Sequence, residues 1–280
     1  MVALPASRSV DGPKTAEGGK QALHEGRRRI FPVHFAPGKK LFNIIVRLSD
    51  KPGSFRSIID LLSSRVNLIG TGTYTLNDGT AMFAGFAESL SKNETPEKLV
   101  KVVLGSDAAM AVRVVEGTDG LLVDTFHTGF IVDDDTYLLM RRGGLVHMFE
   151  TVSKMLGTGG DVLLYEEGLA MALQNAETMA NNLGIARVRA QMGVLNRFLS
   201  TQGWGVLEAK EGSSAGEFTV VVRDCFECAE SPDSRKGCSF MRGYLAGGAQ
   251  ATFDKEYDSI ETKCTLRGAK VCEFKLKPMR

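Results

Sequence analysis

All five cysteines of this 280-residue chain lie between Cys225 and Cys272. An odd number of thiols crowded into one stretch cannot be a complete disulfide framework, and a secreted disulfide scaffold is shorter and denser in cysteine. The pattern leaves three readings: metal ligands, a redox pair, or small buried side chains. The first of these constrains the fold most, because segments distant in sequence must converge on one ion. In the stretch from Cys264 to Cys272, Gly268 sits at the midpoint. A hairpin turning there sets the two cysteines opposite each other, with Cβ atoms about 4.5–5.5 Å apart. That spacing suits two thiolates sharing a metal; it also suits a disulfide, which a reducing compartment disfavours. Cys238 stands just before an apolar, helix-like segment, and Glu261 precedes Cys264 by three positions. Three thiolates and a carboxylate complete a tetrahedral zinc shell. An offset of three places strand residues on opposite faces, so Glu261 joins only across a bulge or bend.

The rest of the composition is that of an ordinary globular chain. It is 43% apolar and 24% charged, which suffices for a core without covalent staples. The formal net charge of +1 gives no whole-chain field toward nucleic acid or an anionic membrane. No apolar run is long enough to span a bilayer. The first 20 residues carry Arg8, Asp11, Lys14, Glu17 and Lys20 without an apolar core, so no signal peptide is read and a cytoplasmic location is expected. Residues 1–39 read as a disordered tail and lead-in; its Arg27-Arg28-Arg29 run is either a solvated face or a contact for an acidic partner.

Residues 40–118 read as one α+β unit. Phe42–Leu48 is an apolar, β-branched strand, and Asp50-Lys51-Pro52-Gly53 breaks it, with Asp50 or Ser54 available to cap the helix that follows. Phe55, Ile58, Ile59, Leu61 and Leu62 recur at helical spacing. Strands follow over Thr71–Leu76 and Ala81–Phe86, joined by the hairpin turn Asn77-Asp78-Gly79. A helix capped by Thr95 and a strand over Ala111–Val115 complete the order β-α-β-β-α-β of a ferredoxin-like unit. With Asp50-Lys51-Pro52-Gly53 after the first strand and Val66-Asn67-Leu68-Ile69 entering the second, nearly the whole unit resembles the ACT domain family. The resemblance implies an amino-acid ligand at the loop holding Asp50, Pro52 and Gly53, and pairing of two chains as a homodimer. On the residues alone, Pro52 and Gly53 either leave helix N-terminal amides free for a carboxylate or merely turn the chain.

Residues 119–280 read as a larger α+β unit. Strands are expected over Val123–Ile131 and Thr136–Arg141, around an exposed turn at Asp133-Asp134-Asp135. A helix over Leu145–Leu156, a strand-like stretch Val162–Tyr165, and helices over Glu167–Asn182 and Ile185–Gln202 follow. Strands at Gly203–Val206 and Glu217–Arg223, a helix near Phe240–Gly248 and two strands flanking Gly268 end the chain. Cys238 before Gly243-Tyr244-Leu245-Ala246-Gly247, then Glu261, Cys264 and Cys272, is similar to the 4-vinyl reductase domain family, as are Leu163-Leu164-Tyr165 with Gly168 and Gly203-Trp204-Gly205. That family includes aromatic-hydrocarbon sensor domains and proteins linked to bacteriochlorophyll vinyl reduction. The resemblance implies zinc on Cys238, Glu261, Cys264 and Cys272, and a small apolar or aromatic ligand between sheet and helices. Cys225 and Cys228 depart from the sensor pattern; they supply or replace a zinc ligand, act as a redox pair, or pack.

The pocket candidates are Trp204, Tyr165, Phe226, Phe240, Tyr244 and Phe253, whose aromatic faces suit planar ligands or simply fill a core. His147 is a polar anchor or a locally satisfied helix residue. Neither a phosphate-binding Gly-Lys loop, a helix-turn-helix segment nor a dinucleotide fingerprint occurs, so direct nucleic-acid binding and a self-contained reductase are not expected. The favoured expectation is a zinc-stabilised sensor or regulatory adaptor. The alternatives are a subunit or carrier in reduction of a vinyl-bearing or tetrapyrrole-like compound, and a redox protein using Cys225 and Cys228.

Overall fold

The computed structural model describes residues 30, 32–132, 135–183, 199–212, 216–229 and 237–279. The Arg27–Arg29 run, Asp133 and Asp134, and residues 185–198 of the expected helix ending at Gln202 lie outside the described residues. The architecture is α+β. Among the described residues no helix is long and apolar enough to cross a membrane.

A short strand β1 (Val33–Phe35) precedes the first unit, which consists of β2 (Leu41–Ser49), α1 (Ser54–Ser63), β3 (Val66–Thr75), β4 (Thr80–Ser89), α2 (Pro96–Val103) and β5 (Ala109–Glu116). The sheet order is β3-β4-β2-β5, antiparallel throughout, which is the ferredoxin-like arrangement expected from the element order. Phe42, Ile44, Val46 and Leu48 project alternately from β2 and meet Ile58, Leu62, Leu99 and Val103 of the two helices. β2 is also buried on its other face. There Leu41 and Phe86 pack with Leu122 of β6 (Leu121–Val123), which pairs with β1 as a two-stranded ribbon. This double burial explains why β2 reads as a continuous apolar run rather than an alternating one.

Local chemistry departs from expectation at two points here. The helix α1 is not capped by Asp50 or Ser54: Gly53 occupies the N-cap at φ 92°, with no side-chain cap. Ser54 instead turns its hydroxyl to Ser49, 2.9 Å away. The second strand begins at Val66 rather than Thr71, running through a bulge between Leu68 and Gly70. Thr95 does cap α2, accepting from the Lys98 N–H at 3.4 Å.

After β6 come a small hairpin of β7 (Phe130–Val132) and β8 (Asp135–Tyr137), then α3 (Arg142–Leu156) and α4 (Thr158–Leu183). The expected strand over Val123–Ile131 is interrupted, because the Asp124 carboxylate accepts the N–H groups of Phe126 (2.9 Å) and His127 (3.2 Å) and turns the chain. The strand expected to run to Arg141 stops at Tyr137. Val162–Tyr165 is helical, within α4.

The C-terminal sheet has the order β11-β12-β10-β9, from β9 (Val206–Glu211), β10 (Phe218–Arg223), β11 (Tyr257–Lys263) and β12 (Cys272–Pro278). The expected strand at Gly203–Val206 begins only at Val206. Between β10 and β11 lie the single-turn α5 (Phe226–Ala229) and α6 (Ser239–Phe253). Helices α4 and α6 cross with backbones almost touching. A Cβ on Gly243 would lie 1.8 Å from the Tyr165 carbonyl oxygen, and one on Gly168 2.2 Å from that of Phe240. Glycine is required there by the crossing itself. α6 is buried along most of its length, so the N-terminal end bearing Cys238 is fixed against both α4 and the sheet.

Candidate metal centre

Four segments deliver the thiols. Cys225 ends the turn after β10, Cys228 lies in α5, Cys238 is the N-cap residue of α6, and Cys264 and Cys272 bracket the β11–β12 connection. That connection is one 3₁₀ turn, Thr265–Arg267, closed by Gly268 at φ 86°. The register pairs Lys263 with Glu273, so the next step along both strands sets Cys264 against Cys272. A bulge lies between Glu261 and Lys263, with Glu261 opposite Phe274. Phe274, like Cys272 and Leu276, faces the core. The extra residue, Thr262, thus turns Glu261 onto the face that carries the cysteines.

All five thiols are buried. The Sγ of Cys228 lies 2.9 Å from Cys238, 3.5 Å from Cys264 and 3.4 Å from Cys272; Cys238 lies 3.8 Å from Cys225 and 3.9 Å from Cys272. Four sulfurs around one zinc at about 2.3 Å would stand about 3.8 Å apart, so the cluster has the dimensions of a mononuclear thiolate site. Two donor sets, each with all ligand atoms within 4.8 Å of one another, share Cys238 and Cys272. One set adds Cys225 and Cys228; the other adds Glu261 and Cys264.

The Glu261 side chain is only 5% exposed. Its Oε2 accepts from Arg267 Nη2 at 2.7 Å and from the Cys238 N–H at 3.4 Å, while Oε1 is buried without a protein partner. A buried carboxylate oxygen left unpaired is costly unless something else meets it. The metal-free thiols divide their protons unequally. Hydrogen bonds from Cys225, Cys228 and Cys238 hold Cys272 well below the ordinary thiol range, and the same network pushes Cys238 upward. One sulfur is therefore already thiolate-like, the form a metal takes up.

Glu227, between the two cysteines of the Cys225–Cys228 pair, is a functional residue that the sequence reading misses. It is buried, and its carboxyl accepts the N–H groups of Phe240 (3.2 Å) and Met241 (2.9 Å) at the start of α6. Burial nevertheless pushes its pKa up to about 8. The signal in the sequence is a lone acid in an apolar segment, ten or so residues before a helix that lacks a side-chain cap.

The structure gathers four of the aromatic candidates into one cluster. Trp204 lies 4.4 Å from Tyr244, 5.2 Å from Phe226 and 6.0 Å from Phe240 between ring centroids. Phe149 of α3, absent from the sequence candidates, stacks on Phe240 at 4.8 Å. Tyr165 stands apart under the Arg242 guanidinium, and Phe253 stacks on Phe218. His147 is largely exposed, 3.9 Å from Glu150. Beside the cluster, a cavity of about 20 Å³ lined by Phe149, Leu164, Glu227 and Leu266 has room for about one water. The largest groove, about 600 Å³, lies on the first unit between α2 and β5, and Asp50, Pro52 and Gly53 are not in its lining.

Comparison with known proteins adds one assignment. Residues 218–278, which contain β10 to β12, α6 and every cysteine, match the family model of the 4-vinyl reductase (4VR) domain. An uncharacterized protein of Methanocaldococcus jannaschii, MJ0150, is 31% identical over 74 residues, which is 26% of this chain and 42% of that protein. A second from the same organism, MJ1642, is 27% identical over 130 residues, 46% of this chain and 71% of that protein. The chain thus covers about two fifths of the first relative's length. Among solved structures, the phenol-responsive sensory domain of the transcription activator PoxR with phenol aligns at a TM-score of 0.43 and 13% identity, over 81% of this chain and 92% of that one.

Proposed function

We propose that this chain is a small-molecule-binding sensor or regulatory adaptor whose C-terminal unit is organised by a structural zinc ion. The observation that carries the reading is the convergence of buried cysteines with Glu261, inside the segment that matches the 4-vinyl reductase domain. In this reading Cys238, Cys264 and Cys272 supply three thiolates and Glu261 the fourth donor, which closes the shell and leaves no open catalytic position. The ion ties the β11–β12 turn to the first residue of α6. The cluster of Trp204, Phe226, Phe240 and Tyr244 supplies the apolar wall against which a small aromatic ligand lies, opened by movement of α3, which contributes Phe149. The first unit acts as the regulatory half, with Asp50, Pro52 and Gly53 framing an amino-acid site and an exposed sheet edge pairing two chains.

The test combines thiol alkylation with ligand titration on the full chain. Protection of Cys238, Cys264 and Cys272 until a chelator is added, together with quenching of Trp204 fluorescence by phenol-sized aromatics, supports the reading. Free alkylation of all five thiols before chelation, or saturable turnover of a substrate with an added electron donor, contradicts it.

A further inference from the structure

A four-coordinate ion uses four ligands, yet six donor atoms meet at this centre. The three thiols Cys238, Cys264 and Cys272 form a common face, and two different groups are aimed at its open side. One is Glu261, whose free oxygen Oε1 is buried beside the sulfurs. The other is Cys228, the one thiol within 3.5 Å of all three members of that face.

We propose that Cys228 and Glu261 compete for the fourth position on the ion, and that Cys228 holds it in the reduced protein. This inference rests on the metal reading above and specifies its ligand set. The Cys228 sulfur already lies at tetrahedral-edge distances from the shared face. Glu261, by contrast, is drawn aside by Arg267 and the Cys238 N–H, which occupy its other oxygen. A thiolate is also the softer donor, and a thiolate-rich site selects thiophilic ions such as zinc over hard cations. When the ligand changes from Glu261 to Cys228, the thiol gives up a proton to solvent and Glu261 leaves as a carboxylate already paired with Arg267. The net charge of the four ligands is the same in either form. Cys225, 3.8 Å from Cys238, remains outside the shell as a thiol donor to that sulfur.

The exchange has a structural consequence. Cys228 and Phe226 share the single turn of α5, and Phe226 packs edge-on to Trp204 at 5.2 Å. Glu227 between them holds the start of α6. With Cys228 on the ion, the aromatic wall is tethered to the metal through two residues of backbone. With Glu261 on the ion, α5 is released and the wall is held by packing alone. The fourth ligand is thus a coupling element between metal and pocket.

X-ray absorption at the zinc edge of the zinc-loaded full chain, kept reduced, reads the ligand set directly. The expected result is four sulfurs at about 2.3 Å. Glu261→Gln should keep all four, whereas Cys228→Ser should retain one ion per chain with three sulfurs and one oxygen. Three sulfurs and one oxygen in the wild-type chain would overturn the proposal while leaving the metal reading intact. An unmodified chain that takes up no stoichiometric zinc refutes the metal reading itself. The wild-type spectrum decides between these outcomes even if Cys228→Ser does not fold.

Discussion

The crossing of α4 and α6 carries the α6 N-terminus, and with it Cys238, to the metal centre, so a change at the crossing has a calculable effect. Gly243→Ala adds a Cβ 1.8 Å from the Tyr165 carbonyl oxygen, 2.7 Å from its carbonyl carbon and 3.0 Å from the Leu169 nitrogen. All three neighbours are backbone, so no rotamer change relieves the overlap. Bringing the closest pair to an ordinary contact of 3.4 Å requires the helices to part by up to 1.6 Å (3.4 − 1.8) along that line. Helical propensity works the other way, since alanine is better than glycine in a helix interior by about 1 kcal/mol. Overpacking of this kind costs about 1–3 kcal/mol and sometimes more. A contact with rigid backbone on both sides belongs at the upper end, so the net expectation is a loss of about 2 kcal/mol. The control is Gly248→Ala on the same helix, where an added Cβ has no heavy atom within 4 Å. That variant should gain about 0.5–1 kcal/mol. Urea denaturation of both variants, followed by far-UV circular dichroism at equal metal loading, supplies the comparison. If Gly243→Ala matches or exceeds the stability of Gly248→Ala, the close crossing is wrong.

Other expectations follow from single contacts. Cys264→Ser should lower zinc content to well under one ion per chain and destabilise the C-terminal unit by several kcal/mol, because a metal that closes a site adds its binding energy to folding; the first unit, with its own core, should keep its hydrogen-exchange protection. Trp204, the sole tryptophan, lies against Phe226, two residues from Cys228, so chelation should shift its emission, and an unchanged spectrum would count against coupling of metal and pocket. Burial raises the Asp124 carboxyl, but hydrogen bonds from the Phe126 N–H, the His127 imidazole and the His127 N–H outweigh it and hold the group below its ordinary value. A lowered folded value means stability that is present above the unfolded pKa of about 3.9 and lost as pH falls through the folded one. Asp124→Asn should therefore be less stable than wild type at neutral pH, with the difference shrinking in acid melts below about pH 4.

What the sequence conveys depends on whether a short-range rule has a competitor. The β-α-β-β-α-β order of the first unit is legible because each strand ends at a turn residue with one clear conformation, such as Gly79 at φ 78°. Val162–Tyr165 misleads because a four-residue apolar run fits a buried strand or a buried helix equally, and only its place in the 26-residue α4 decides. The interruption after Val123 is a matter of one side chain: Asp124 captures two backbone N–H groups that a strand would have used. The bulge at Thr262 is legible as a requirement, since Glu261 can reach the thiols in no other way, and the register shift lies between Glu261 and Lys263. The central position of Cys228 is not legible. Its spacing from Cys238 specifies neither depth nor direction, and the segment's placement depends on Glu227 holding the α6 N-terminus.

The most direct test of the metal centre is the mass of the intact, reduced chain under native conditions beside its mass after denaturation. The account predicts a native mass higher by one zinc ion less the protons its ligands release, with the denatured chain reverting to the mass of the sequence with five free thiols. A native mass equal to the bare polypeptide, in protein purified without chelator and with zinc supplied, would contradict it.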